Sequence, residues 1–197
     1  MSSLAPRLRA RGVITRFVSN PLARLLIALH VPPNAITLAG FCVAACAAWL
    51  IADGRLLVGG IVMLAGAAMD MLDGAVARLS GKASTFGAFF DSVMDRLGEA
   101  VVLFGLAVYF TRGGDAPGVY LAFAALAASM MVSYLRARAE GLSIPGDVGL
   151  MGRPERVVVL GAALLVGYPF YGLGVIAVFG ALTVLQRAWS VWRATRS

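Results

Sequence analysis

The chain has 197 residues, of which 60% are hydrophobic and only 14% are charged, and its formal net charge is +7. This composition excludes an ordinary water-soluble domain and indicates an integral membrane protein, which at this length forms a single domain over residues 1–197. The basic residues gather at the ends of apolar segments and do not form a soluble binding face, so nucleic acid is not an expected partner.

Residues 1–33 predict a juxtamembrane amphipathic helix and not a membrane span. Five arginines between residues 7 and 24 interrupt the apolar residues too often for the segment to cross a bilayer. We expect this helix to lie in the membrane interface with its arginines towards anionic head groups. A cleavable signal peptide is the alternative, although the first uninterrupted apolar stretch begins only after Pro33.

Six apolar segments follow and predict an all-α integral membrane fold, a bundle of six transmembrane helices over residues 34–197. Asn34 is a favoured residue for capping the first helix, and Pro169 with Gly172 and Gly174 predicts the turn before the last. The expected bounds are 35–52, 56–77, 86–110, 117–140, 155–169 and 172–191.

Small residues crowd several of these segments and would let helix backbones pack closely. A homodimer fits this pattern, but packing inside one chain would use the same residues equally well. Most arginines and lysines lie at one set of segment ends. By the positive-inside rule, both termini and the acidic motif then face the cytoplasm from the cell membrane.

Four aspartates stand out in this apolar chain. Asp70 and Asp73 are three residues apart, Asp91 and Asp95 are four apart, and helical spacing puts each pair on one face. Ionised carboxylates gathered in an apolar setting repel each other and are costly to bury unpaired. A hard divalent cation, or two, would relieve that repulsion, and Mg²⁺ commonly binds carboxylates together with a phosphate-bearing substrate.

Residue types alone leave the role of the aspartates open. Isolated acidic residues near a membrane surface are often simply solvated, and intramembrane carboxylates also mark the ion pathways of channels and transporters. A channel does not explain why Gly74, Ala77, Arg78 and Gly87 stand in register with the aspartates. A non-catalytic membrane scaffold is the third alternative, and it predicts that alanine at Asp91 and Asp95 leaves any activity untouched.

The whole pattern reads Asp-x2-Asp-Gly-x2-Ala-Arg-x8-Gly-x3-Asp-x3-Asp over residues 70–95. It resembles the signature of the CDP-alcohol phosphotransferase family, and this resemblance implies a metal-dependent enzyme that displaces CMP from a CDP-activated lipid. By the resemblance, the metal ligands for two Mg²⁺ ions, or Mn²⁺, are Asp70, Asp73, Asp91 and Asp95, with Asp95 also the expected catalytic base. The resemblance assigns the CDP-lipid donor to Asn34, Thr37, Gly74, Ala77, Arg78, Ser84 and Gly87.

A second polar group lies towards the C-terminus and bears on the acceptor alcohol. Arginines converging at one membrane face would suit an anionic, phosphate-bearing acceptor, but they could equally anchor helices to head groups. Arg136 and Glu140, four residues apart, could also form a local ion pair. The residues concerned are Ser133, Arg136, Arg138, Arg153, Arg156 and Arg187.

The segment Ser133-Tyr-Leu-Arg-Ala-Arg-Ala-Glu140, with Arg153-Pro-Glu-Arg156, is similar to the phosphatidylinositol-phosphate synthase branch of the same family. This similarity implies that CDP-diacylglycerol and inositol 1-phosphate are the substrates. It also implies that the acceptor phosphate is bound by Ser133, Arg136, Arg156 and Arg187, with Arg138 and Arg153 supporting them. It also implies a homodimer. Arg136 stands where we expect a lysine in that branch, and glycerol 3-phosphate or another polyol is the alternative acceptor.

Overall fold

A computed structural model describes residues 26–29, 31–81 and 84–196, without the side chains of residues 71, 73 and 74. Over these ranges the chain is helical with short connections and contains no strand. The predicted interfacial helix over residues 1–33 lies almost wholly outside the described residues. The helices from Pro33 onward are α1 (Pro33–Ala52), α2 (Leu56–Leu79), α3 (Thr85–Arg112), α4 (Ala116–Gly141), α5 (Arg153–Leu165) and α6 (Pro169–Ala194).

Four of these helices, α1, α2, α4 and α6, are long and apolar enough to cross a membrane. Helix α3 has 28 residues, but its N-terminal part carries the charged residues Asp91, Asp95, Arg96 and Glu99. Helix α5 has only 13 residues. A helix of that length rises about 20 Å, which is less than the roughly 30 Å of a hydrocarbon core. An all-helical membrane fold is therefore confirmed, and spans at α3 and α5 stay a prediction.

The chain divides into two compact units, which we call the acidic unit and the arginine unit. The acidic unit holds the described residues up to Ala44 together with Ala65–Gly98. Its apolar core contains the buried side chains of Ile36, Ala75 and Val76. The partly buried residues Leu26, Ile27, Val31 and Leu72 pack against this core.

The arginine unit holds Ala45–Leu64 and the chain from Glu99 onward. Helix α6 packs against both α4 and α5. Its buried residues recur every three or four positions, and small residues on α4 let the two backbones approach closely. A Cβ atom added at Gly180 would lie only 2.9 Å from the Cβ of Ala128. The buried stripe of α6 includes Leu173, Ile176, Gly180, Thr183 and Arg187.

The turn predicted at Pro169, Gly172 and Gly174 is wrong, because all three residues lie inside α6. Pro169 begins that helix, where the missing N–H of proline costs nothing. Gly172 is needed for packing, since a Cβ there would lie 2.5 Å from the Cβ of Ala163. The turn is made instead by Gly167, whose φ of +78° favours glycine.

Candidate active site

The acidic motif occupies two helices of the acidic unit, as its spacing predicts. Residues 70–78 form the C-terminal part of α2, and residues 87–95 lie in the N-terminal part of α3. The connection between them includes Gly81, whose φ of +67° lies in the left-handed region. The motif therefore flanks a short turn, so its two halves are joined by few residues.

The Asp70 carboxylate is half-buried and lies against α1. A Cβ added at Gly40 would come within 3.1 Å of Asp70 Oδ1, which is closer than an ordinary van der Waals contact. Gly66 packs in the same way, since a Cβ there would lie 3.2 Å from Val43 Cγ1. Gly40 thus makes room for the first carboxylate of the motif, a role that the sequence pattern does not signal.

Asp91 and Asp95 are also half-buried, one helical turn apart on α3. Asp73 and Gly74 lie on α2, and the side chain of Asp73 is not among those described. Among the side chains that are described, no three or more His, Cys, Asp or Glu residues group closely enough to hold a metal ion. The carboxylates of Asp70, Asp91 and Asp95 are the type of oxygen ligand that a hard cation such as Mg²⁺ or Mn²⁺ prefers.

Three of the predicted donor residues come together at the start of α3. The Ser84 hydroxyl accepts a hydrogen bond of 3.0 Å from the Gly87 N–H, so Ser84 is the N-cap of α3. A Cβ at Gly87 would lie 3.0 Å from Ser84 Oγ and 3.4 Å from Asn34 Oδ1. Close approach of the Asn34 and Ser84 side chains to this backbone therefore depends on glycine at position 87.

The remaining donor residues lie on α1 and α2. Thr37 is buried, and its hydroxyl donates to the Pro33 carbonyl at 3.2 Å. Ala77 is half-buried, and Arg78 is exposed in the last turn of α2. A cation in that turn interacts favourably with the helix dipole.

In the arginine unit, the predicted acceptor residues differ sharply in exposure. Arg136 and Arg138 are exposed near the end of α4, whereas Ser133 and Arg153 are half-buried. Arg136 Nε donates to Glu140 Oε1 at 2.8 Å, so the predicted local ion pair does form. Both side chains of that pair are about half exposed, and such pairs contribute little to stability.

Arg187 is buried in α6 with 6% of its surface exposed. Its Nε donates to the Val148 carbonyl at 2.8 Å, and its Nη1 donates to the Val132 carbonyl. Arg136 lies against Gly146, where an added Cβ would come 3.2 Å from Arg136 Cγ, and Arg156 Nη1 donates to the Met151 carbonyl at 3.4 Å. All three arginines therefore contact the connection between α4 and α5, and their binding of an acceptor phosphate stays a prediction.

The connection between α4 and α5 is held against α6 by several hydrogen bonds. The Met151 N–H donates to Thr183 Oγ1 at 2.9 Å, and the Leu150 N–H donates to Gln186 Oε1 at 3.2 Å. Gly149 has a φ of +128°, and a Cβ there would lie 2.4 Å from Thr183 Cγ2. Residues 146–151 therefore form an ordered loop that leads directly into α5.

Arg156 is the most deeply buried of the predicted acceptor residues, with 2% exposure. Its guanidinium forms a two-point ion pair with Glu99, a residue that the sequence pattern does not single out. Glu99 lies four residues after Asp95 in an apolar helix. A carboxylate in that position is the signal that could have pointed to it.

Comparison with known proteins agrees with this description. The sequence profile of the CDP-alcohol phosphatidyltransferase family matches residues 30–192. Archaetidylinositol phosphate synthase of Methanothermobacter thermautotrophicus is 39% identical over 189 residues, covering 93% of this chain and 92% of the relative. Phosphatidylinositol phosphate synthase of Mycolicibacterium smegmatis is 38% identical over 185 residues, covering 88% and 83%.

The fold is also similar to solved structures. The crystal structure of Mycobacterium tuberculosis phosphatidylinositol phosphate synthase with CDP-DAG bound has a TM-score of 0.83 at 31% identity, covering 89% of this chain and 94% of that one. A second structure of that enzyme, in complex with manganese and citrate, has the same TM-score. The resemblance seen in the sequence is confirmed: this chain belongs to the CDP-alcohol phosphatidyltransferase family of enzymes.

Proposed function

We propose that this membrane protein transfers the phosphatidyl group from CDP-diacylglycerol to inositol 1-phosphate, giving phosphatidylinositol phosphate and CMP. The observation that carries the proposal is that Arg136, Arg156 and Arg187 all contact residues 146–151 in a chain of this family. Relatives named for phosphatidylinositol phosphate and archaetidylinositol phosphate synthesis support the acceptor. The bound CDP-DAG in the M. tuberculosis enzyme supports the donor.

The acidic unit is assigned to the donor and to the metal. Mg²⁺, as two ions, would be held by Asp70, Asp73, Asp91 and Asp95, with Mn²⁺ able to replace it, as the manganese in the related structure suggests. When bound, the metal neutralises charge on the diphosphate. Asn34, Ser84 and the Gly87 backbone are grouped at the start of α3. They are assigned to the CDP moiety together with Thr37, Gly74, Ala77 and Arg78.

The transfer is a substitution at phosphorus. The attacking inositol hydroxyl oxygen forms a bond to the lipid-side phosphorus of the diphosphate, and the bond from that phosphorus to the bridging oxygen breaks, so that CMP leaves. Asp95 is assigned to accept the hydroxyl proton. The same carboxylate, half-buried on α3, is also assigned to orient the hydroxyl.

The arginine unit is assigned to the acceptor phosphate. Arg136, Arg138, Arg153 and Ser133 retain solvent exposure and can donate to a phosphate, for which the forked guanidinium is well suited. Arg156 and Arg187 add two further positive charges from buried positions. Glu99 and Glu140 already pair with Arg156 and Arg136, and the five arginines together still favour a phosphorylated polyol as the class of acceptor.

We extend the proposal to location and assembly. The active site and both termini would face the cytoplasm from the cell membrane, and protease access to a C-terminal tag in oriented vesicles tests this assignment. A homodimer is proposed as well. Small residues also pack inside the chain, such as Gly60 against Leu164, so their presence alone does not establish a dimer. Native mass spectrometry of the purified protein measures the oligomeric state directly.

The acceptor is tested by supplying purified protein with CDP-diacylglycerol, Mg²⁺ and either labelled inositol 1-phosphate or labelled glycerol 3-phosphate. We expect labelled phosphatidylinositol phosphate, with stoichiometric CMP, and far slower turnover of glycerol 3-phosphate. Turnover of glycerol 3-phosphate alone would replace the proposed acceptor and leave the reaction class intact. Failure to release CMP with either compound would contradict the proposal as a whole.

A further inference from the structure

A groove of about 700 Å³ lies in the arginine unit at the C-terminal end of α6, and its lining residues are not among those assigned above to the metal, the donor or the acceptor. One side is formed by residues 148–150 of the loop before α5. The other side belongs to α6 and includes Gln186, Trp189, Ser190 and Arg193. The Leu150 N–H donates to Gln186 Oε1 at 3.2 Å, so a hydrogen bond joins the two sides.

The length of α6 places this groove at the level of the lipid headgroups. The helix is apolar enough to cross a membrane and has 26 residues. Those residues rise about 39 Å, whereas a hydrocarbon core is roughly 30 Å thick. Exposed Tyr168 and Tyr171 at the start of the helix fit the aromatic belt of one interface. A span that begins at Pro169 then leaves about six residues, 189–194, beyond the opposite side of the core.

The exposed side chains at this end of α6 combine aromatic rings with guanidinium groups. Trp189 and Trp192 stack with their ring centroids 4.6 Å apart, and both are exposed. The guanidinium carbon of Arg196 lies 4.2 Å from the centre of the Trp192 ring, in a cation–π contact. Arg193 is exposed and lines the groove itself. Tryptophan is enriched where a bilayer meets water, and a guanidinium can donate two parallel hydrogen bonds to a phosphate.

Charge and polarity together favour an occupant that is both anionic and apolar. Residues 156–197 contain four arginines and no acidic residue, and Asp147 does not line the groove. Val148 and Leu150 are exposed and give the loop side an apolar surface. Residues 1–25 of this chain contain five arginines and no acidic residue, so charge complementarity disfavours that segment as the occupant. A phospholipid with an anionic headgroup meets both requirements.

We propose that this groove binds one anionic phospholipid, with Arg193 and Arg196 donating to its phosphate and Trp189 packing against its glycerol backbone. The acyl chains would then follow Leu182 and Leu185, which are exposed on α6 seven and four residues before Trp189 and share its face of the helix. This lipid is bound and not consumed, so the site is an addition to the proposed donor site. The inference does not rest on the proposed function.

Tryptophan fluorescence tests the proposal with the full-length protein reconstituted into vesicles. Trp49→Phe replaces an exposed ring on α1 and leaves Trp189 and Trp192 as the tryptophans of the chain. The vesicles are phosphatidylcholine with an equal minor fraction of either brominated phosphatidylglycerol or brominated phosphatidylcholine, because bromine quenches tryptophan on contact. We expect the anionic lipid to quench at least about threefold more strongly, since the arginines concentrate it beside these rings.

Two kinds of variant, both in the Trp49→Phe protein, show where the preference comes from. Arg193→Gln combined with Arg196→Gln should make the two brominated lipids quench equally. Arg55→Gln is the matched control, because Arg55 is also exposed but lies between α1 and α2, and it should leave the preference unchanged. Arg78→Gln, at the proposed donor site, should leave it unchanged as well. All four arginines are exposed, and thermal unfolding in detergent checks that each variant is folded.

Four results would overturn the proposal. Equal quenching by both lipids before any arginine is changed would mean that the groove does not select an anionic headgroup. A preference that survives the two glutamine substitutions, or that falls as much in Arg55→Gln, would assign it to the overall positive charge of the protein. Loss of the preference in Arg78→Gln would place the lipid at the donor site. Quenching by neither lipid would mean that another protein surface, such as a second copy of this chain, covers the two tryptophans.

Discussion

The acidic unit and the arginine unit handle charge in opposite ways. In the acidic unit, Asp70, Asp91 and Asp95 are half-buried and come from one stretch of 26 residues, 70–95, on two successive helices. In the arginine unit, Arg156 and Arg187 are enclosed and bonded to a carboxylate and to backbone carbonyls of the same unit. The positions of the aspartates follow mainly from helical spacing, whereas tertiary hydrogen bonds fix the positions of Arg156 and Arg187.

This contrast predicts that substitutions in the two units affect different kinetic parameters. Changes in the acidic unit should act on the chemical step, because metal-bound carboxylates stabilise charge in the transition state. Changes in the arginine unit should act on acceptor binding, since its arginines are far in sequence from the motif and are proposed to bind a phosphate that does not react.

Removal of the metal should have the largest effect. We expect EDTA to reduce CMP release to background and added Mg²⁺ or Mn²⁺ to restore it, because the carboxylates alone would repel the diphosphate. Binding of Mn²⁺, followed by electron paramagnetic resonance, gives a readout that does not depend on turnover. Full activity in chelator would contradict a metal-dependent acidic unit.

Asp91→Asn should lower kcat at least about a hundredfold, because a neutral amide replaces one carboxylate of the proposed metal site. The variant should unfold at a similar temperature, since Asp91 is only half-buried on α3. Steady-state CMP release measures the effect. Asp53→Asn is the matched control, and an equal loss of kcat in that control would show that the effect is not specific to the motif.

Gly149→Ala should destabilise the arginine unit by about 1–3 kcal/mol, because the backbone conformation is strained for alanine and the added methyl group would overlap Thr183. We expect a lower unfolding temperature in detergent and a raised KM for inositol 1-phosphate. Gly141→Ala is the control, since no heavy atom lies within 4 Å of a Cβ at that position. A raised KM for CDP-diacylglycerol without a raised KM for inositol 1-phosphate would contradict the assignment of the arginine unit to the acceptor.

Glu140→Gln should have the smallest effect and the opposite sign. Arg136 shares an exposed ion pair with Glu140, and removing this competing carboxylate should lower the KM for inositol 1-phosphate about twofold. The difference should shrink at high ionic strength, because exposed pairs are screened. A higher KM in the variant would mean that Glu140 holds Arg136 in place for the phosphate.

The sequence predicts the helices and the motif well for physical reasons. Apolar runs long enough to cross a membrane leave few alternatives to a helix, and carboxylates at helical spacing stand out against an apolar background. The turn after α5 is misplaced from sequence because glycines at 172 and 174 resemble a turn, whereas Gly172 serves close packing against Ala163. Periodicity does not distinguish these two uses of glycine.

The arrangement of the arginine unit is less predictable. That Glu99 pairs with Arg156, 57 residues later, depends on how α3 and α5 meet within this unit, and one sequence does not encode that contact as a spacing. The same is true of Gly40, which receives the Asp70 carboxylate, and of Thr183, which holds Met151. These residues look like ordinary packing positions until the tertiary contacts are known.

The separation between the two units is tested most directly by kcat and both KM values of Arg153→Ala, measured in one assay of CMP release. We predict an acceptor KM about tenfold higher, an unchanged KM for CDP-diacylglycerol and a kcat within about twofold of the original protein. An unchanged acceptor KM, or a donor KM that rises as much as the acceptor KM, would contradict the assignment of the arginine unit to the acceptor.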